Sequence, residues 1–216
     1  MTPIEPKRAR SPSPRRSRPA KAMAGSRDAD ERQGLSGNRR QVLINEAARL
    51  FASKGYEQTS MRDIAAAVGI LPGSLYHHFP PKEDLFVAVY SFAVAQTLDT
   101  VTGAMASHDD PWARLEAACI AHLRSLLEKS RFAMVLVSHL SIDSLPQREQ
   151  TIVLRDSYEA VFKNLIAELP LPADVDRRIF RLGLLGSLNW AITWYRPDGE
   201  TPSEIARKLL SALRRE

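Results

Sequence analysis

The chain reads as an all-α protein with two unequal parts. Three observations carry that reading. From Asn38 to the C-terminus apolar residues recur at i, i+3, i+4 and i+7, the period of an amphipathic helix. Glycine and proline mostly fall between these runs, where helices stop and start. No segment alternates polar and apolar residues as a half-buried strand does, and no internal repeat or heptad array occurs.

Residues 1–22 hold five of the 14 prolines, seven Lys/Arg and one acidic residue. With so little aliphatic bulk this stretch cannot offset its ordering entropy, so a disordered basic, Pro-rich tail is expected over 1–37. Met23 is an alternative start that would remove most of it. The first periodic helix carries Ile44, Ala47, Ala48 and Phe51, and Gly55 ends it. Thr59 and Ser60 can cap a second, with Met61, Ile64, Ala65 and Val68 on one face and Gly69 as its stop. A short third begins at Pro72, with Leu75 and Phe79 inward, and Pro80-Pro81 closes it. A long fourth helix is expected from Lys82 to about Ala106.

Asp110-Pro111 opens a helix to Lys129 with the stripe Leu115, Cys119, Leu123 and Leu126. Shorter runs over about 131–142 and 147–169 follow. Residues 173–195 are apolar on two sides. Phe180, Leu184, Leu188, Ala191 and Tyr195 form one row; Leu182, Gly186, Trp190 and Trp194 form another. Such a helix must be covered twice. Thr201 or Ser203 caps a last helix with Ile205, Leu209, Leu210 and Leu213.

A composition of 44% hydrophobic and 25% charged residues belongs to globular proteins. A single cysteine excludes an intrachain disulfide framework and fits a reducing cytoplasm. No apolar run is long enough to predict a membrane partner, and the N-terminus lacks the apolar stretch of a secretory signal. The net charge of +5 lies in the tail: residues 1–22 carry +6, which leaves −1 for the rest. Bulk charge therefore does not argue that the folded part binds nucleic acid.

The motif at 60–79, SMRDIAAAVGILPGSLYHHF, does argue it. Two short helices joined by a glycine turn, with a third packed across them, make a helix-turn-helix whose second helix enters a major groove. The spaced residues Leu50-Phe51, Gly55-Tyr56, Thr59-Ser60-Met61, Asp63-Ile64-Ala65, Gly69, Gly73 through Phe79 and Lys82-Glu83 resemble the N-terminal domain of the TetR family of repressors over roughly residues 38–90. The resemblance implies an N-terminal three-helix DNA-binding domain over 38–90 and a larger helical ligand-sensing and dimerisation domain over 91–216. It places DNA contacts at Thr59, Ser60, Leu71, Pro72, Gly73, Ser74, Tyr76, His77 and Lys82. Chemistry supports several of these. Hydroxyls and free N–H groups at a helix start suit phosphate. Tyr76 and His77 can reach phosphates or base edges. His78 fits either a contact or a packing role. Leu71 and Pro72 depart from the family pattern, since neither can hydrogen-bond a base and each offers at most a contact to a thymine methyl. Modest direct readout, with DNA shape supplying the rest, is the expectation. Residues 37–90 hold six Lys/Arg and five Asp/Glu, so placed cations matter, with Arg39, Arg40, Arg62 and Lys82 as the candidates.

One such head reads few base pairs, so a homodimer on a palindromic operator is expected. The family pairs its last two long helices, and this assigns Phe180, Gly183, Leu184, Gly186, Leu188, Ala191, Leu209 and Leu213 to the dimer interface. Leu185 through Trp190, Trp194-Tyr195-Arg196-Pro197-Asp198-Gly199 and the upstream Arg155-Asp156-Ser157-Tyr158-Glu159 resemble TetR-type regulators of fatty-acid, steroid and aromatic-acid catabolism. That implies a small-molecule effector, an acyl-CoA or related lipophilic acid, whose binding releases the repressor from DNA. Candidate pocket residues are Phe92, His122, Met134, His139, Tyr158, Phe162 and Trp190, apolar walls with a few polar handles. Trp190 and Trp194 fit a pocket or a dimer core equally. Arg124 or Arg155 offers a partner for a ligand carboxylate or phosphate. No nucleotide loop, zinc-ligand spacing or credible triad appears, so neither a cofactor nor an enzyme is expected. The alternative is an all-helical binding module or enzyme that does not bind DNA.

Overall fold

A computed structural model describes residues 24–128, 131–137 and 147–214, with side chains from Asn38 onward except those of Ala133 and Val137. Among the described residues every regular element is a helix. In chain order these are α1 (Ala24–Lys54), α2 (Met61–Val68), α3 (Pro72–His78), α4 (Lys82–Met105), α5 (Pro111–Leu127), α6 (Arg131–Val137), α7 (Arg148–Glu168), α8 (Arg177–Trp194) and α9 (Pro202–Leu213). Contacts divide the chain into residues 1–38 and residues 39–216. In the first unit, residues 24–38 are helical, whereas the sequence pattern begins the helix only at Asn38. Leu35 is the one large apolar residue between Ala24 and Gly37, so this stretch has no apolar stripe for periodicity to detect.

The second unit is built from helices that the sequence starts and stops locally. Ser60 accepts from the Asp63 N–H while Asp63 accepts from the Ser60 N–H, a capping box at the start of α2. Thr201 and Glu204 repeat it at α9. Asp110 and Asp176 cap α5 and α8 with their carboxylates. Gly55 ends α1 at φ 83° and Gly69 ends α2 at φ 75°, left-handed positions that favour glycine. At Gly69 the Ile70 N–H reaches the Ala65 carbonyl and the Gly69 N–H reaches Ala66, a Schellman closure.

Two apolar cores result. One joins α1, α2, α3 and the start of α4 through Ile44, Phe51, Ile64, Leu75, Phe79, Phe86 and Val89, and also takes in Phe132 and Val135 of α6. The other joins α5, α7, α8 and α9 through Leu115, Cys119, Leu123, Phe162, Leu165, Leu184, Leu188 and Ile205. Val101, near the end of α4, belongs to the second core, and Tyr158 packs against both. Helix α4 is long and apolar enough by composition to cross a membrane. Its apolar residues Leu85, Phe86, Val89, Tyr90, Ala93, Val94 and Val101 are instead buried among the other helices.

Candidate nucleic-acid interface

The turn after α2 delivers α3 with one side locked and the other open. Leu75 and Phe79 are buried. Leu71, Pro72, Gly73, Ser74, Tyr76 and His77 are exposed, Leu71 at 77% and Tyr76 at 47%. Six of the nine sequence-expected contacts thus lie together on one solvent-facing surface. An added Cβ at Gly73 would meet nothing within 4 Å, so the backbone there is open to close approach.

The other three need separate statements. Ser60 is exposed, but its hydroxyl donates to the Asp63 carboxylate at 2.7 Å and holds the cap. Thr59 is fully buried, and its hydroxyl donates to the Gly55 carbonyl at 2.7 Å. Thr59 therefore ties the α1–α2 turn together and has no hydroxyl free for phosphate, which corrects the contact expected from the sequence. Lys82 is half-buried, with its Nζ 4.0 Å from the centroid of the Tyr56 ring. Burial lowers its pKa, while Glu57 and Glu83 oppose that shift. Tyr56 packs in turn on Phe51 and Phe86, at 5.4 and 5.1 Å between ring centroids. The guanidinium of Arg40 lies 4.9 Å from the centroid of Phe79. Aromatic platforms thus fix two cations on residues bordering α3. The sequence offered both cations, but pairing each with its ring requires the fold. Arg39 and Arg62 are exposed.

The remaining candidates divide. His122, Tyr158 and Phe162 do come together. The Tyr158 hydroxyl lies 2.6 Å from His122 Nδ1, and the ring centroids of His122 and Phe162 are 6.0 Å apart in an edge contact. Asn189, which sequence reasoning missed, completes the chain with Oδ1 3.1 Å from His122 Nε2. An amide oxygen only accepts, so Nε2 carries the proton and Nδ1 accepts from tyrosine. Burial lowers the His122 pKa to about 4, partly offset by the Asn189 bond, so the imidazole is neutral. Phe92 packs against Phe132 in a tilted contact, with ring centroids 4.9 Å apart, and Met134 is half-buried on α6. His139 lies outside the described residues. Trp190 is 62% exposed, on the outward row of α8. A cleft of about 760 Å³ between α4 and α5, lined by Gln96, Thr100, Arg124, Ser125, Glu128 and Phe132 among others, contains none of the seven pocket residues expected from the sequence, although it does contain Arg124, one of the two arginines offered for a ligand anion.

The interface assignment on α8 also needs correction. Phe180, Leu184, Leu188 and Ala191 fill this chain's own core and present nothing to a partner. The opposite row is open: Gly183, Gly186, Ile179, Leu182, Trp190 and Trp194 are all exposed. Leu209 and Leu213 of α9 are half-buried. Cys119 is buried, which pushes its thiol pKa up. Among the described residues no group of three His, Cys, Asp or Glu is placed to hold a metal.

Residues 43–89 match the family described as bacterial regulatory proteins, tetR family, and residues 108–216 match the tetracyclin repressor-like C-terminal domain. The HTH-type transcriptional repressor KstR2 of Rhodococcus jostii is 33% identical over 194 residues, covering 86% of this chain and 93% of that protein. PfmR, a TetR family regulator from Thermus thermophilus, superimposes with a TM-score of 0.65 at 33% identity, covering 79% of this chain and 96% of that one. AibR, solved with isovaleryl coenzyme A and operator DNA, gives a TM-score of 0.71 at 24% identity over 81% of this chain and 97% of its own. With both halves of its sequence matched and its helix-turn-helix built as described, the chain belongs to the TetR family of transcriptional regulators.

Proposed function

We propose that this protein is a cytoplasmic, ligand-released repressor that binds a palindromic operator as a homodimer. The observation that carries the reading is the open surface of α3, where Ser74, Tyr76 and His77 stand clear of a side locked by Leu75 and Phe79. Arg40 and Lys82 border that surface as cations held on aromatic rings, placed for phosphates on either side of the groove. Leu71, exposed and apolar, has only a thymine methyl to read. The exposed row of α8 from Ile179 to Trp194 is the seat for the second copy, with Gly183 and Gly186 admitting a close backbone. An acyl thioester or related lipophilic acid is the effector class; AibR shows that a fold of this kind accommodates such a ligand together with DNA. A ligand releases DNA only by preferring a conformation whose reading heads are wrongly spaced. Helix α4 runs from the reading head into the second core and is the element that connects the two.

The test is an electrophoretic mobility shift with the DNA upstream of the protein's own gene. The unsubstituted chain should retard it. Tyr76→Ala and His77→Ala should each weaken retention by about tenfold, one good contact's worth, with unchanged thermal midpoints. Retention that survives both substitutions together would dismiss α3 as the reading helix.

A further inference from the structure

Between α4, α7 and α8 lies a polar cluster that the helix-turn-helix does not use. Arg181 of α8 is only 19% exposed, and its Nε is buried with no hydrogen-bond partner. The nearest carboxylate, Glu159 of α7, approaches Arg181 Nη2 no closer than 3.7 Å. Glu159 also stands 3.7 Å from Arg155 Nε. Both distances exceed a hydrogen bond, so one carboxylate balances two guanidinium groups without satisfying either. Arg155 makes its one hydrogen bond sideways, to Asp156 at 3.3 Å. Tyr90 of α4 is buried near enough to feel both Arg155 and Glu159, which act on its hydroxyl in opposite directions.

We propose that the Arg155–Glu159–Arg181 cluster beside Tyr90 is an oxyanion site that seats a carboxylate or phosphate group of the effector. It rests on the regulatory reading above only in naming the carrier of that group an effector. A planar guanidinium presents parallel N–H donors matched to paired oxygens, and here the buried Nε lacks an acceptor. The 760 Å³ cleft between α4 and α5 is the poorer candidate. It sets two carboxylates, Asp99 and Glu128, against one cation, Arg124. Its Thr97 and Thr100 hydroxyls already donate to carbonyls of their own helix. The cluster also lies where release would need it. Glu159 follows Tyr158, which packs on both cores, and an anion drawing α8 toward α7 would act beside a residue of α4.

The experiment is thermal unfolding of the full chain in acetate or inorganic phosphate against chloride at equal ionic strength. At ten times the half-saturating concentration the midpoint should rise by roughly 3–5 °C, and the rise should saturate. Arg181→Gln should abolish it. Glu159→Gln, which removes the competing carboxylate, should shift half-saturation to lower concentration; a merely structural cluster would not respond in opposite directions. Should Arg181→Gln fail to fold in chloride, Arg155→Gln serves in its place. A response to phosphate alone assigns a phosphate-bearing effector, and one to acetate alone a free acid. No saturable rise in the unsubstituted chain, or a rise that survives Arg181→Gln or its substitute, overturns the proposal. Operator retention is read separately. Its absence in the unsubstituted chain would undo the regulatory reading and leave the anion result standing.

Discussion

Trp190 gives the most direct measure of the proposed dimer. It is 62% exposed on the open row of α8, with Gly186 one turn before it and Trp194 one turn after it. A tryptophan side chain buries roughly 150–250 Å² when covered. The uncovered share of Trp190 is then roughly 90–150 Å², worth about 2–4 kcal/mol at ~25 cal/mol per Å². A two-fold interface presents the same residue from both sides. Trp190→Ala should therefore weaken association by at least about 4 kcal/mol, close to 1,000-fold in the dimer Kd. Sedimentation velocity over a concentration series reads this directly. The far-ultraviolet spectrum should not change, because the residue leaves no cavity in the chain's own core. Operator affinity should fall with the dimer, since one head alone reads too few base pairs. If Trp190→Ala associates as tightly as the unsubstituted chain, the open row of α8 is not the interface.

Three further outcomes follow from the local geometry. Ser60→Ala breaks the capping box of α2 and should lower unfolding stability by about 0.5–2 kcal/mol in urea, while Thr59→Val, which removes the buried hydroxyl's bond to the Gly55 carbonyl, should lose about 0.5–1.5 kcal/mol and Thr59→Ser much less. His122 has a folded pKa near 4 against 6.5 for the free side chain, so between those values the unfolded chain binds the extra proton. Its contribution is complete above about pH 6.5 and is lost as the pH falls toward 4, on the order of 3 kcal/mol in all; His122→Gln should remove that part of the stability–pH profile. A chain started at Met23 lacks most of the basic tail and should keep its operator preference, with lower non-specific affinity and a shallower salt slope in filter binding.

The reading head was the most legible part of this sequence. Its signals are local: a serine and an aspartate three apart, glycines at left-handed positions, and apolar residues every third or fourth place. Helix α8 was half legible. Two apolar rows were evident, but periodicity is blind to which row faces inward, and Phe180, Leu184, Leu188 and Ala191 proved to be the inner one. Thr59 was misread for a related reason. A hydroxyl at a helix start looks the same in sequence whether it faces a phosphate or, as here, a carbonyl of the preceding turn. The chain from Tyr158 through His122 to Asn189 needs three helices, with its partners 36 and 67 positions apart in sequence, and no local pattern announces it. The same holds for Arg181 and Glu159, which become neighbours only when α7 and α8 pack.

The length of α4 has a mechanical consequence. Its 24 residues make a rod of about 36 Å, with Val101 set in one core and Leu85, Phe86 and Val89 in the other. A tilt of about 5° about Val101, roughly 28 Å along the rod from Lys82, would carry Lys82 sideways by about 2.5 Å, close to the length of a hydrogen bond. A displacement small enough to leave every helix intact is therefore comparable to the length of the contact that Lys82 would make with a phosphate under the proposed reading.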